Sequence, residues 1–207
     1  MKVILVNGSP HQHGCTWRAL KEVQGELIKE GVEAEIFWIG NKPLSGCIGC
    51  GYCKAGQGCA FKNDKVNEFI ELAKDADGYV YGSPVYYAGA AGSLKAFLDR
   101  AYYSGGKYLH GKVGAAVVSS RRAGSTSTFD EINKYFTISQ SYVVSSCYWN
   151  EVHGSNAEEV EQDKEGLYTM KVLARNMAYI LKCIEAGKKE GLVKADVGKR
   201  EMTNFIR

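Results

Sequence analysis

Residues 1 to 18 constrain this chain most: an apolar run, Val3-Ile4-Leu5-Val6, stops at Asn7-Gly8-Ser9-Pro10, and a helical pattern begins at Thr16. That is strand, loop and helix in succession. Gly8 lets the backbone turn, and Pro10 fixes φ and removes a donor, so the loop leaves the strand sharply. Ser9 and Thr16 bracket a short polar segment, and their hydroxyls, with the free N–H groups at the helix start, suit an anion. No Gly-Lys-Ser/Thr follows and no Gly-x-Gly-x-x-Gly occurs, which excludes the common triphosphate and dinucleotide loops. Two readings stay open at this point: a loop for a monophosphate carried without metal, or an ordinary turn whose serine caps the helix.

The same alternation recurs down the chain. Leu20, Val23, Leu27 and Ile28 give an amphipathic helix from Thr16 to about Glu30, and a second strand is expected at Ala34 to Ile39. Asp64 stands ahead of a helix carrying Val66, Phe69, Ile70 and Ala73, followed by a strand from Tyr79 to Tyr81 and a loop from Gly82 to Gly89. Ser93 opens a third helix, and Val113 to Ser119 is an uninterrupted apolar strand of the kind buried on both faces. A third loop, Ser120 to Ser125, leads to a helix at Thr126 to Thr137. A fifth strand is expected at Tyr142 to Cys147, an acidic solvated loop at Asn150 to Glu165, and a final helix at Leu167 to Ile184. Five such alternations predict an α/β fold with a doubly wound parallel sheet. The loops after strands one, three and four then share the carboxyl edge, where such sheets bind ligands.

Seven cysteines are many, and four of them, Cys47, Cys50, Cys53 and Cys59, crowd into the long loop at 40–63 among five glycines besides Gly40. That is metal or redox spacing and not a disulfide framework. Three ligands spaced two apart with a fourth slightly removed suit a cubane iron–sulfur cluster; a redox-active or idle thiol set and structural zinc are the other readings. Cys147 and Cys183 lie in apolar contexts and are expected in the core. The net charge of +3 is spread among both signs, so nucleic acid is not an expected partner. The apolar start is five residues long with no cleavage-site pattern, and no run approaches membrane-spanning length, so the expectation is one domain over 1–207, soluble and cytoplasmic.

Gly8-Ser9-Pro10 with Cys15-Thr16, the Gly82-Ser83-Pro84-Val85-Tyr86-Tyr87 segment and Ser119-Ser120-Arg121 together resemble the NAD(P)H-dependent FMN reductases of flavodoxin-like fold. The Cys47-x-x-Cys50-x-x-Cys53 run with Cys59 resembles the iron–sulfur flavoproteins, a branch of that superfamily. The resemblance implies five parallel strands in the order 2-1-3-4-5, FMN at the switch point and a nicotinamide as transient donor. It places the phosphate among Ser9, His11, Cys15 and Thr16, and the ring against Pro84, Val85, Tyr86, Tyr87, Ser120, Arg121 and Gly124. Many relatives have Arg where His11 stands and a small polar residue at Cys15, so phosphate binding here leans on backbone N–H groups, Ser9 and Thr16. Arg121 would set a positive field beside the flavin. The four cysteines would hold a [4Fe–4S] cluster. The implied activity is an FMN-dependent oxidoreductase passing electrons from a nicotinamide or reduced partner to a small-molecule or protein acceptor. The alternative is an electron-transfer carrier for a ferredoxin-like partner. Tyr102, Tyr103, Tyr108 and Trp149 make more aromatic surface than a monomer needs, so a homodimer or homotetramer is expected.

Overall fold

In the computed structural model, which describes residues 1–194, 196–198 and 201–203, the apolar runs form the middle of one twisted sheet. Strand β1 (Lys2–Asn7) pairs in parallel with β2 (Glu33–Trp38) on one side and β3 (Gly78–Tyr86) on the other. Strand β3 pairs with β5 (Val113–Ser120), all eight of whose residues are buried. The far edge is split: β6 (Tyr142–Val143) pairs with the start of β5 and β7 (Glu151–His153) with its end. A two-residue strand, β4 (Gly89–Ala90), folds back antiparallel on β3.

The sheet therefore has seven strands, with the path β2-β1-β3-β5-β6, where five were expected. The flavodoxin-like order holds once β4 is set aside as a hairpin arm and β6 and β7 are taken as two halves of the fifth strand. The segment from Gly82 to Tyr86 is strand and not loop, because beyond Gly82 β3 is flanked on one side by β5 alone, where Pro84, which has no N–H to give, is tolerated. The stretch from Asn150 is not simply a solvated loop: Asn150, Val152 and Val160 are buried. Asn150 fills the gap between β6 and β7, donating from Nδ2 to Ala116 O (3.0 Å) while its own carbonyl accepts from Val118 N–H (2.9 Å).

Helices cover both faces, as the alternation of β1 requires. Val3 and Leu5 face α1 (Cys15–Lys29) and α6 (Lys164–Lys189), which bring Leu20, Val23, Leu27, Met170, Leu173 and Met177 into one core. Ile4 and Val6 face α2 (Val66–Ala73), α3 (Gly92–Leu109) and α4 (Ser125–Ile138), which supply Phe69, Leu94, Phe97 and Phe136. A short helix, α5 (Ala157–Val160), follows β7. Ile28, expected inward, lies exposed on α1. Cys147 and Cys183 are also exposed, Cys147 in the break between β6 and β7 and Cys183 on the outer side of α6, so neither is a core residue. No helix among the described residues is long and apolar enough to cross a membrane.

Candidate functional site

The first loop is braced from within. Asn7 is buried, its Oδ1 accepts from Ser9 N–H (3.1 Å), and its Nδ2 donates to Gln12 O (3.0 Å). Ser9 Oγ accepts from His11 N–H (3.1 Å), and Ser9 O accepts from the Trp38 indole (2.8 Å). Gly8 donates to Gly82 O at 2.9 Å, and a β-carbon at Gly8 would lie 2.8 Å from that same oxygen, so the close approach of β1 and β3 needs glycine there.

Helix α1 is preceded by Gly14, which has no side chain to cap it. Its ladder begins with Arg18 N–H to Gly14 O (3.0 Å), which leaves the amides of Cys15, Thr16 and Trp17 ahead of it, at the positive end of the helix dipole. The expected hydroxyl lining takes a different form. Thr16 is wholly buried and its Oγ1 lies 2.8 Å from Ser119 Oγ on β5, so this hydroxyl ties the helix to the sheet. One of the two donates to the other, and the acceptor keeps its own proton for the cleft above. Ser9 Oγ, an acceptor for His11, likewise keeps its proton to donate.

These groups form the floor of a cleft of about 740 Å³ at the carboxyl edge of β1, β3 and β5. Of the residues expected from sequence, Ser9, His11, Cys15 and Thr16 line one side, Pro84, Val85 and Tyr86 a second, and Ser120 and Arg121 a third. Tyr87 and Gly124 are not brought to the cleft. Tyr87 is fully exposed at the β3–β4 turn, with φ +49°. Gly124, at φ +89°, precedes α4, and a β-carbon there would stand 2.8 Å from Ala88 Cα, so its close packing seats that turn.

The fourth side of the cleft is Gly154 to Glu158, within the stretch expected as a solvated loop. Gly154 N–H donates to Ser120 O (3.1 Å), and Gly154 O accepts from the Cys15 thiol (3.4 Å). Asn156 then caps α5 through Glu159 N–H (2.8 Å), while the Glu159 carboxylate accepts from Ser155 N–H (2.7 Å). Asn-x-x-Glu is a capping-box pattern that the sequence carried. Burial pushes the Cys15 thiol up, and Glu159 and Glu158 add to it, so Cys15 faces the cleft as a neutral thiol. Ser120 Oγ also meets His153 Nδ1 at 3.1 Å.

The four clustered cysteines line a second cavity, of about 470 Å³, between the 40–63 loop and α3. Gly51 and Gly56, at φ +74° and +75°, bracket a 3₁₀ turn at Tyr52–Ala55 and let the loop wrap the cavity. Asn67 pins the loop's far end, donating to Cys59 O (3.1 Å) and Phe61 O (2.8 Å) and accepting from Cys59 N–H (2.8 Å). Among the described residues, no three His, Cys, Asp or Glu side chains converge as ligands of a single ion would. A cubane is a body several atoms across, and thiolates around it stand correspondingly apart. Four cysteines on one cavity of this size fit it better than they fit zinc.

The family model for NADPH-dependent FMN reductase matches residues 1–155. The chain belongs to that family. It is 34% identical over 193 residues to an iron–sulfur flavoprotein of Methanocaldococcus jannaschii, a match that covers 89% of this chain and 100% of the relative. Among solved structures, RosB with bound 8-demethyl-8-formylriboflavin-5'-phosphate superposes with a TM-score of 0.70 at 14% identity, covering 99% of this chain and 92% of the other. A flavodoxin from the domain Archaea superposes at 0.60 and 16% identity, covering 88% and 99%. Those two likenesses show the flavodoxin-like fold. For an FMN reductase the cleft is a suitable one: uncapped amides for a phosphate, an aromatic and proline wall for a ring, and volume within the usual range for small-molecule sites.

Proposed function

We propose that this FMN reductase family member binds FMN in the cleft and passes electrons from a reduced nicotinamide, or from a reduced protein, to an acceptor. The observation that carries the reading is the uncapped start of α1 at the floor of the cleft, at the switch point of the sheet. Bound FMN supplies both hydride and single-electron exchange. The chain's residues do the rest. The amides of Cys15, Thr16 and Trp17 and the Ser9 hydroxyl hold the phosphate, while Pro84, Val85 and Tyr86 fix the plane of the ring. Arg121, at the rim, favours negative charge on the reduced ring, and the neutral Cys15 thiol adds none of its own.

A carrier function for a protein partner is favoured by a specific observation, the cavity shared by Cys47, Cys50, Cys53 and Cys59, two of them exposed. In this reading the cysteines hold a [4Fe–4S] cluster as a one-electron relay. Of the four aromatic residues expected on the surface, the exposed Tyr103 and Trp149 suit a dimer or tetramer, whereas Tyr102 and Tyr108 are half-buried, Tyr102 with its hydroxyl 3.1 Å from that of Tyr81. Adding NADH or NADPH to anaerobic protein, and separately a reduced ferredoxin, tests the donor. Rapid bleaching of the flavin band by a nicotinamide supports the reductase. Bleaching by the reduced protein alone supports the carrier, and no flavin band in purified or FMN-supplemented protein rejects both.

A further inference from the structure

Outside the cleft, the side chain with the most unusual placement is Arg100, on α3. It is 1% exposed, the largest of the fully buried side chains, and it points into the cysteine cavity. Its Nε donates to Cys59 Sγ at 3.2 Å. On the far side of the guanidinium, Nη1 and Nη2 donate to Asp64 at 2.6 and 3.2 Å, and Nη1 also reaches Ser45 O at 3.2 Å. Phe61 covers the plane, with its ring centre 4.8 Å from Cζ. Arg100 thereby ties both ends of the cysteine loop, Ser45 ahead of Cys47 and Cys59 with Asp64 behind it, to one helix.

Burying a guanidinium costs stability that an apolar residue at this position would avoid, and one carboxylate would satisfy the charge. Holding the loop does not by itself require a cation, because Asn67 already pins Cys59 through its backbone with neutral groups. What the cation adds is direction. With Asp64 bound at the two Nη groups and Nε turned to the sulfur, the pair is a fixed dipole whose positive end rests on Cys59. Hydrogen bonds to cluster sulfurs and local charge are the levers that set the potentials of iron–sulfur centres.

We propose that Arg100 is a positioning residue for the cysteine site: held by Asp64, it aims a charged N–H at Cys59 and so favours the reduced, more negative state of a cluster bound there. The inference rests on the cluster reading of the four cysteines. Its own content is that Arg100 and Asp64 move the reduction equilibrium in opposite directions, which a residue that only holds the loop would not do.

The test is a redox titration of anaerobically purified full-length protein, with iron, sulfide and FMN assayed in the same samples. Arg100→Met removes charge and donor, and is expected to make reduction about tenfold less favourable, which is about 59 mV for one electron. Arg100→Lys keeps the charge without the fork and is expected to shift the same way by less. Asp64→Asn removes the opposing carboxylate and is expected to shift the potential upward. If Arg100→Met fails to fold or to load, Arg100→Lys and Asp64→Asn still give shifts of opposite sign. A loaded wild type whose variants share its potential, or shift in one common direction, overturns the proposal and leaves the cluster reading intact. Iron and sulfide at background in the wild type overturn the cluster reading, and this proposal with it.

Discussion

Replacing Thr16 by alanine separates the two jobs that meet at the floor of the cleft. Thr16 is wholly buried, and Thr16→Ala takes away both its methyl and the hydroxyl that lies 2.8 Å from Ser119 Oγ, itself a buried group. The lost methyl costs about 0.8 kcal/mol, and leaving the serine without its partner adds about 1–2 kcal/mol. The sum, about 2–3 kcal/mol, corresponds to a fall of roughly 5–10 °C in melting temperature for a domain of this size. The amide of residue 16 remains in place, so FMN affinity falls only about three- to tenfold, the range of one neutral hydrogen bond. Thr16→Ser keeps the hydroxyl and loses the methyl, so it costs about 1 kcal/mol and leaves FMN binding close to wild type. Urea titration and flavin fluorescence titration on the same samples read both quantities. A Thr16→Ala variant with wild-type stability and FMN affinity lowered more than a hundredfold would refute the reasoning, because the hydroxyl would then serve the phosphate and not the sheet.

Gly82→Ala places a β-carbon 2.8 Å from Thr16 Cγ2 and 2.9 Å from Leu20 Cδ1, and is expected to cost about 1–3 kcal/mol in chemical denaturation. Glu26 joins α1 to α6: its carboxylate, 5% exposed, accepts from Lys29 (3.0 Å) and Arg175 (2.7 Å), and these hold it below its ordinary value of 4.5. Its contribution is present above pH 4.5 and lost as pH falls through the depressed folded value, so Glu26→Gln should be less stable at pH 7 by about 1–2 kcal/mol and converge on the wild type in acid. Parallel thermal melts from pH 7 downward check this, and a gap that persists in acid would contradict it. Asn67→Ala removes the three bonds that pin the loop at Cys59 and Phe61, and is expected to speed iron loss to a chelator while FMN content stays unchanged.

The parts of this fold that were legible in the sequence are those where one periodicity acts alone. Helix α1 follows its spacing of Leu20, Val23 and Leu27, and β5, buried on both faces, reads as an unbroken apolar run. The end of β3 was hidden because proline usually ends a strand, and only the pairing with β5 on one side makes Pro84 acceptable. The split fifth strand was hidden for a similar reason: Asn150 is polar in sequence, and its burial is explained only by the backbone groups of Ala116 and Val118 that it satisfies. That Ser9, His11, Cys15 and Thr16 share one cleft and the four cysteines one cavity follows from their closeness on single loops. The tie between Thr16 and Ser119, and that between Arg100, Asp64 and Cys59, join residues 103, 36 and 41 positions apart, and no local pattern announces such pairs.

The central claim, FMN at the carboxyl edge and a separate cysteine site on α3, is tested most directly by assaying cofactors in anaerobically purified Cys50→Ala beside wild type. The account predicts about one FMN per chain in both proteins, and about four irons with four acid-labile sulfides in the wild type alone. Equal iron in both, or FMN lost together with the iron, would contradict it.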